Sequence, residues 1–122
     1  METVERSWGS YTVIEEGDTY KIKRIVVMPK QSLSLQLHHH RSEHWVVVKG
    51  TAEVEIDGTT AFLREGENVF IQIGIHHRLR NPGLIVLEVI EVQLGDYLCE
   101  DDIIRLDGCH TIPNIHAGSC IF

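Results

Sequence analysis

No run of apolar residues in the 122-residue chain approaches the ~20 needed to span a bilayer. The first residues, Met1-Glu2-Thr3-Val4-Glu5-Arg6, lack the basic and then apolar segments of a secretory signal. Cysteine is scarce: Cys99, Cys109 and Cys120 are odd in number and confined to the last quarter, which is no disulfide framework. A reducing compartment, the cytoplasm, is therefore expected, with no membrane partner. Positive charge is also in short supply. Eleven Lys and Arg against 18 Asp and Glu leave a net charge of -7, the wrong sign for a phosphate-backbone binder, so no nucleic-acid partner is expected. A locally basic site for a small phosphorylated ligand remains compatible with that balance. Helical periodicity is missing over any long segment, as are internal repeats and low-complexity tracts.

What is present is the alternation of strands. Tyr20 to Met28 alternates and then becomes a β-branched run, stopped by Pro29. Leu33, Leu35 and Leu37 share one face of the next predicted strand, with Ser34, Gln36, His38 and His40 on the other. Trp45-Val46-Val47-Val48 ends at Gly50, and Ala52, Val54 and Ile56 then alternate with Glu53, Glu55 and Asp57. Asp57-Gly58 is a two-residue hairpin signal returning into Thr60-Ala61-Phe62-Leu63. Glu65-Gly66-Glu67 turns into Val69-Phe70-Ile71, and Asn81-Pro82-Gly83 turns into Ile85 through Val92. Some eight short strands in a chain of one-domain length predict an all-β sandwich or closed barrel over residues 1–122. Glu100 to Arg105 reads equally as a helical turn or a final strand, and the tail 107–122 has weak periodicity.

Eight histidines include the run His38-His39-His40. The run is short, internal and caps an alternating strand, unlike a tag. Residues two apart on that strand lie roughly 6–7 Å apart on one face, so Gln36, His38 and His40 can converge on one ion. Glu43, after a turn at Arg41-Ser42, can complete the site from the partner strand. His39, His44 and His76 fall on the opposite parity; His110 and His116 lie in the tail and receive no role.

The spacing Gln36-x-His38, four residues, Glu43, six residues, Gly50 resembles the first cupin motif, with Gln in place of its first His. Gly66, five residues, Gln72-x-Gly74, two residues, His77, three residues, Asn81 is similar to the second, with Gln72 in place of proline. The resemblance implies a cupin double-stranded β-helix, a jelly-roll barrel, holding a divalent metal on Gln36, His38, Glu43 and His77. His40 stays open as a replacement for Gln36. Three neutral ligands and one anion leave a dipositive ion with net positive charge, suited to Lewis-acid chemistry. Zn is the first expectation, with Mn, Fe, Co or Ni alternatives. An amide in place of an imidazole disfavours redox iron and a small oxygenase.

The wording around these ligands is narrower still. Trp8-Gly9-Ser10-Tyr11, Tyr20 to Arg24, Leu33 to Trp45, His77 to Gly83, Ile90-Glu91-Val92-Gln93 and Tyr97 to Arg105 occur in order. Together they resemble type II mannose-6-phosphate isomerases, over about residues 7 to 106. In that family this cupin commonly forms the C-terminal domain of a bifunctional mannose-1-phosphate guanylyltransferase. Lys30 stands where the family usually has Gly, and Asp107-Gly108-Cys109-His110 replaces its usual acidic stretch and Tyr-Gly-Arg. The large nucleotidyltransferase domain is missing, so this polypeptide is not expected to make GDP-mannose alone.

The resemblance implies interconversion of mannose 6-phosphate and fructose 6-phosphate, with a sugar phosphate as the small-molecule partner. Candidates for the base that moves the C2 proton are Glu91, provided it faces the barrel, and His40; Glu88 lies on the face opposite to Glu91. Candidates for phosphate contact are Arg41, Arg78, Arg80, Lys21 and Lys23. A catalytically silent sugar-binding or assembly module is the competing reading, because function lives in the site and not the fold. Small cupins pair through strand edges, so a homodimer is expected by analogy.

Overall fold

The alternating segments become strands in the computed structural model, which describes residues 1–98 and 103–105. In chain order the strands are β1 (Thr3–Arg6), β2 (Gly9–Glu16), β3 (Tyr20–Val27), β4 (Gln36–His38), β5 (Ser42–Lys49) and β6 (Ala52–Ile56). They continue as β7 (Thr59–Leu63), β8 (Asn68–Ile71), β9 (His77–Arg80), β10 (Leu87–Leu94) and β11 (Ile103–Arg105). Among the described residues there is no helix, and so none long and apolar enough to cross a membrane.

One sheet has the order β1-β2-β3-β10-β5-β8 and the other β11-β4-β9-β6-β7. From β3 to β10 the chain passes repeatedly from one sheet to the other, which wraps it into the double-stranded β-helix that the motifs led us to expect. Between the sheets, Val27, Val47, Leu87 and Val89 of the first meet Val54 and Leu79 of the second, all buried. Each such side chain removed from water contributes roughly 1.5–3 kcal/mol. Apolar packing fills this end of the barrel. Towards the other end the inward positions turn polar.

Several boundaries differ from the sequence reading. Among the described residues eleven strands replace some eight; the additions include the β1–β2 hairpin and β11. The strand expected to carry Gln36, His38 and His40 together is only three residues long. Before it, residues 31–35 follow β9 through separate contacts, Leu33 N–H donating to Leu79 O at 2.9 Å and Ser32 bridging Arg80. It ends at His38, whose carbonyl accepts from Gly74 N–H at 2.8 Å, because the chain must leave this sheet to start β5 in the other. That exit uses His39 to Arg41 and takes His40 off the strand face.

Of Glu100 to Arg105, Ile103–Arg105 form a strand pairing antiparallel to β4, and residues 100–102 lie outside the described residues. The Asp57-Gly58 hairpin forms as read, both residues at positive φ (51° and 83°), as a type I′ turn requires. Cys99, Cys109, Cys120, His110, His116 and the tail 107–122 lie outside the described residues.

Candidate metal centre

Three aligned strands set the inward rows of the polar end. On β3, β10 and β5, Lys23 stands beside Glu91 and Glu91 beside Trp45. One pleat further, Lys21 stands beside Gln93 and Gln93 beside Glu43. The opposite sheet supplies His38 from β4 and His77 from β9, with Gln36 directly across from His77. Period-two alternation therefore delivers ligating side chains to one spot from both sheets.

Ligand atoms of His38, Glu43 and His77 all lie within 4.8 Å of one another, and all three residues are buried. His38 Nε2 is 3.0 Å from Glu43 Oε2, and His77 Nε2 is 3.5 Å from Glu43 Oε1. The Nδ1–H of His77 donates to Ile75 O at 2.9 Å, which turns Nε2 towards the carboxylate. Gln36 Nε2 donates to Ser34 Oγ at 3.2 Å, so its carbonyl oxygen is the atom it could offer to an ion. Two imidazole nitrogens, a carboxylate and an amide oxygen fit a borderline divalent cation.

Burial by itself pushes the Glu43 carboxyl up. The charge and hydrogen bond of His38, the hydrogen bond from His77 and the Arg41 charge outweigh it and hold Glu43 well below the usual carboxylate range. For His38 burial prevails and lowers the imidazole. For His77 burial is outweighed by the hydrogen bond and charge of Glu43, which raise it.

Arg41, expected at a phosphate, lies deep beside the ligands. Its Nε donates to Glu43 Oε2 at 3.2 Å and its Nη2 is 3.4 Å from His38 Nε2. Glu91 does face the barrel. Trp45 Nε1–H donates to its Oε2 and Gln93 Nε2–H to its Oε1, both at 2.9 Å. Burial and the nearby Glu43 charge push its carboxyl to about 8, with Lys23 and Arg41 opposing. Glu88 points outward and pairs with Arg24 at 3.0 Å.

A cavity of about 420 Å³ opens onto this centre. Gln36, Arg41, Glu43, His77, Glu91 and Lys23 line it, and Lys23 Nζ stands 4.4 Å from the centre of the Tyr11 ring. Arg78 also lines it and donates to Glu55 Oε1 at 3.1 Å. Three other residues are placed elsewhere. His40 is exposed against Tyr97, ring centres 5.5 Å apart. Lys21 is buried with Nζ donating to Leu98 O at 3.2 Å. Arg80 turns outward, 3.6 Å from Glu53. On the opposite parity, His44 meets Asn68 at 2.9 Å and His76 lies 3.5 Å from Asp57, both away from the cavity.

Residues that the sequence reading did not single out also line the cavity, among them Trp45, Gln93, Tyr11 and Arg6. Parity with Glu43 and Glu91 was a usable signal for Trp45 and Gln93. None existed for Arg6, whose place depends on how the first hairpin folds.

Barrel and side-chain geometry together define a cupin whose buried His38–Glu43–His77 trio could hold a metal ion. The family model described as "Mannose-6-phosphate isomerase C-terminal" matches residues 1–108, and the chain belongs to that family. It is 55% identical over 102 residues to mannose-1-phosphate guanylyltransferase of Escherichia coli K12, covering 84% of this chain and 21% of that protein. It is 54% identical over 116 residues to alginate biosynthesis protein AlgA of Pseudomonas syringae pv. tomato, covering 94% and 24%. The chain thus spans about a fifth to a quarter of the length of these relatives. Among solved structures, the cupin domain of Schizosaccharomyces pombe Cnp3 superposes with a TM-score of 0.68 at 12% identity, covering 71% of this chain and 64% of that one.

Proposed function

We propose that this domain is a metal-dependent isomerase interconverting mannose 6-phosphate and fructose 6-phosphate, as part of mannose supply for polysaccharide synthesis. The observation that carries the reading is the buried His38–Glu43–His77 trio, of which Glu43 and His77 line a cavity that also holds the buried carboxyl of Glu91. Two relatives, one named for mannose 1-phosphate and one for alginate, support the sugar class. The domain acts in the cytoplasm with Zn as its preferred ion, and as a homodimer paired through a sheet edge.

His38, Glu43, His77 and Gln36 would hold the ion, which supplies Lewis-acid stabilisation of negative charge on substrate oxygens. Glu91 in its carboxylate form takes the proton from C2 of the aldose and returns it to C1, while the C2 hydroxyl proton ends on O1. The substrate is rearranged, nothing is added, and no co-reactant is consumed. Hydrogen bonds from Trp45 and Gln93 fix both Glu91 oxygens, so the base is oriented before substrate arrives. A carboxyl near 8 sits close to working pH, where a group can both take and return a proton.

The test is exchange of the C2 hydrogen of mannose 6-phosphate in heavy water, followed by NMR, with metal content measured by elemental analysis on the same sample. Exchange dependent on bound metal, and abolished in Glu43→Gln, is the expected result. Binding of mannose 6-phosphate without exchange would replace the isomerase by a sugar-binding module.

A further inference from the structure

We propose that Arg6, at the end of β1, and Arg78, on β9, form a clamp for the phosphoryl group of the substrate at the cavity mouth. The inference rests on the sugar-phosphate reading above. The cavity has a graded wall. Its deep end holds His77, Glu43 and Glu91, all buried, whereas Arg6 and Ser7 are exposed and Ser32, Ser34 and Arg78 half-buried. The exposed end is the mouth, and it carries two guanidinium groups and three hydroxyls.

The other expected cations are placed differently. Arg41 and Lys23 lie at depth, the first against Glu43 and the second over Tyr11, and Lys21 and Arg80 do not line the cavity. A sugar whose C1 and C2 reach the ligand trio and Glu91 would project its far end towards Arg6 and Arg78.

Both walls are held in place before any ligand arrives. The β1–β2 turn is seated on β3: Met28 N–H donates to Trp8 O at 2.9 Å. A Cβ on Gly9 (φ 151°) would come within 2.0 Å of Val26 O, so only glycine permits that approach. The Arg6 guanidinium lies 5.5 Å from the centre of the Tyr11 ring, itself part of the cavity wall. On the opposite side Leu33 is bonded to Leu79, and Glu55 orients the Arg78 fork.

Ser34 Oγ accepts from Gln36 Nε2, so its own proton can be donated elsewhere, and the mouth is coupled to a metal ligand through one side chain. Two guanidinium forks with three hydroxyls match the three terminal oxygens of a phosphoryl dianion better than the two of a carboxylate.

The experiment is calorimetric titration of the metal-loaded protein with mannose 6-phosphate, mannose and inorganic phosphate. It compares wild type, Arg6→Ala, Arg6→Lys, Arg78→Ala and the exposed, charge-matched control Arg64→Ala. Arg6→Ala and Arg78→Ala should each weaken mannose 6-phosphate binding about tenfold or more, the scale of a lost charged hydrogen bond. Metal content and mannose binding should be unchanged, Arg6→Lys intermediate and Arg64→Ala like wild type. Wild-type affinity in Arg6→Ala would overturn the clamp and leave the isomerase reading intact. Arginine-dependent binding with no C2 exchange would uphold the clamp and overturn the isomerase. Inorganic phosphate binding as tightly as the sugar phosphate would overturn the assignment to a substrate phosphoryl group.

Discussion

Glu43 stands 3.0 Å from one imidazole and 3.5 Å from another, with the Arg41 guanidinium alongside, in a site closed to water on most sides. Removing a ligand from such a cluster should act on metal binding before it acts on fold. His77→Ala should lose most of its bound divalent ion, whereas His76→Ala, whose ring lies outside the cavity near Asp57, should keep it. Elemental analysis of the two variants checks this, and equal metal content would overturn the ligand assignment. Glu91 offers a second test at this scale. Its carboxyl is raised from the ordinary 4.5 to about 8 by burial and by Glu43, so the folded state holds that proton where the unfolded chain releases it. Its contribution to stability is full below pH 4.5 and is lost as pH rises through 8. In metal-free protein, the stability gained by Glu91→Gln over wild type should therefore grow between pH 5 and pH 8. Thermal melts in chelator across that range measure it; a constant difference would show that Glu91 is not held protonated.

At the scale of elements, the inward rows depend on register, and a slip of one residue would turn every ligand to the other face. The β6–β7 hairpin shows how locally such register can be set. Asp57 and Gly58 both adopt positive φ, and a Cβ on Gly58 would meet nothing within 4 Å. Gly58→Ala should therefore cost about 1–2 kcal/mol through backbone strain alone, with no effect on metal content. Denaturant unfolding would measure the loss. This turn was legible because two adjacent residues carry the whole signal. The reach of β4 was not, since its end is decided by the switch to the other sheet and not by the alternation of Gln36, His38 and His40. The same switch explains why His40, equal to Gln36 by parity, ends against Tyr97.

Across the whole molecule, the candidate ligands come from both sheets: Glu43 from the six-stranded one, His38 and His77 from the five-stranded one. An ion bound there would tie the two layers together at their polar end. Chelation should lower the melting temperature, and adding metal back should raise it with concentration, as expected for a ligand that binds only the folded state. A melting temperature indifferent to metal would mean that the cluster does not bind one.

Some of this protein follows from sequence alone. The spacing of Gln36, His38 and Glu43 spans one short strand and one turn, where backbone geometry leaves few choices, and His77 belongs to a second motif of the same local kind. Those intervals were enough to indicate the barrel and the ligand set proposed for the metal, and the residues flanking them indicated the family. The surroundings of that set were decided only by tertiary structure. Whether Glu91 lies beside Trp45 and Gln93, whether Arg41 lies deep or at the mouth, and whether Arg6 reaches the cavity all depend on which strands hydrogen-bond. Strands far apart in sequence become neighbours, as β3, β10 and β5 do, because their pairing closes one barrel around one core. Pairing over such distances leaves no mark in any short window of residues.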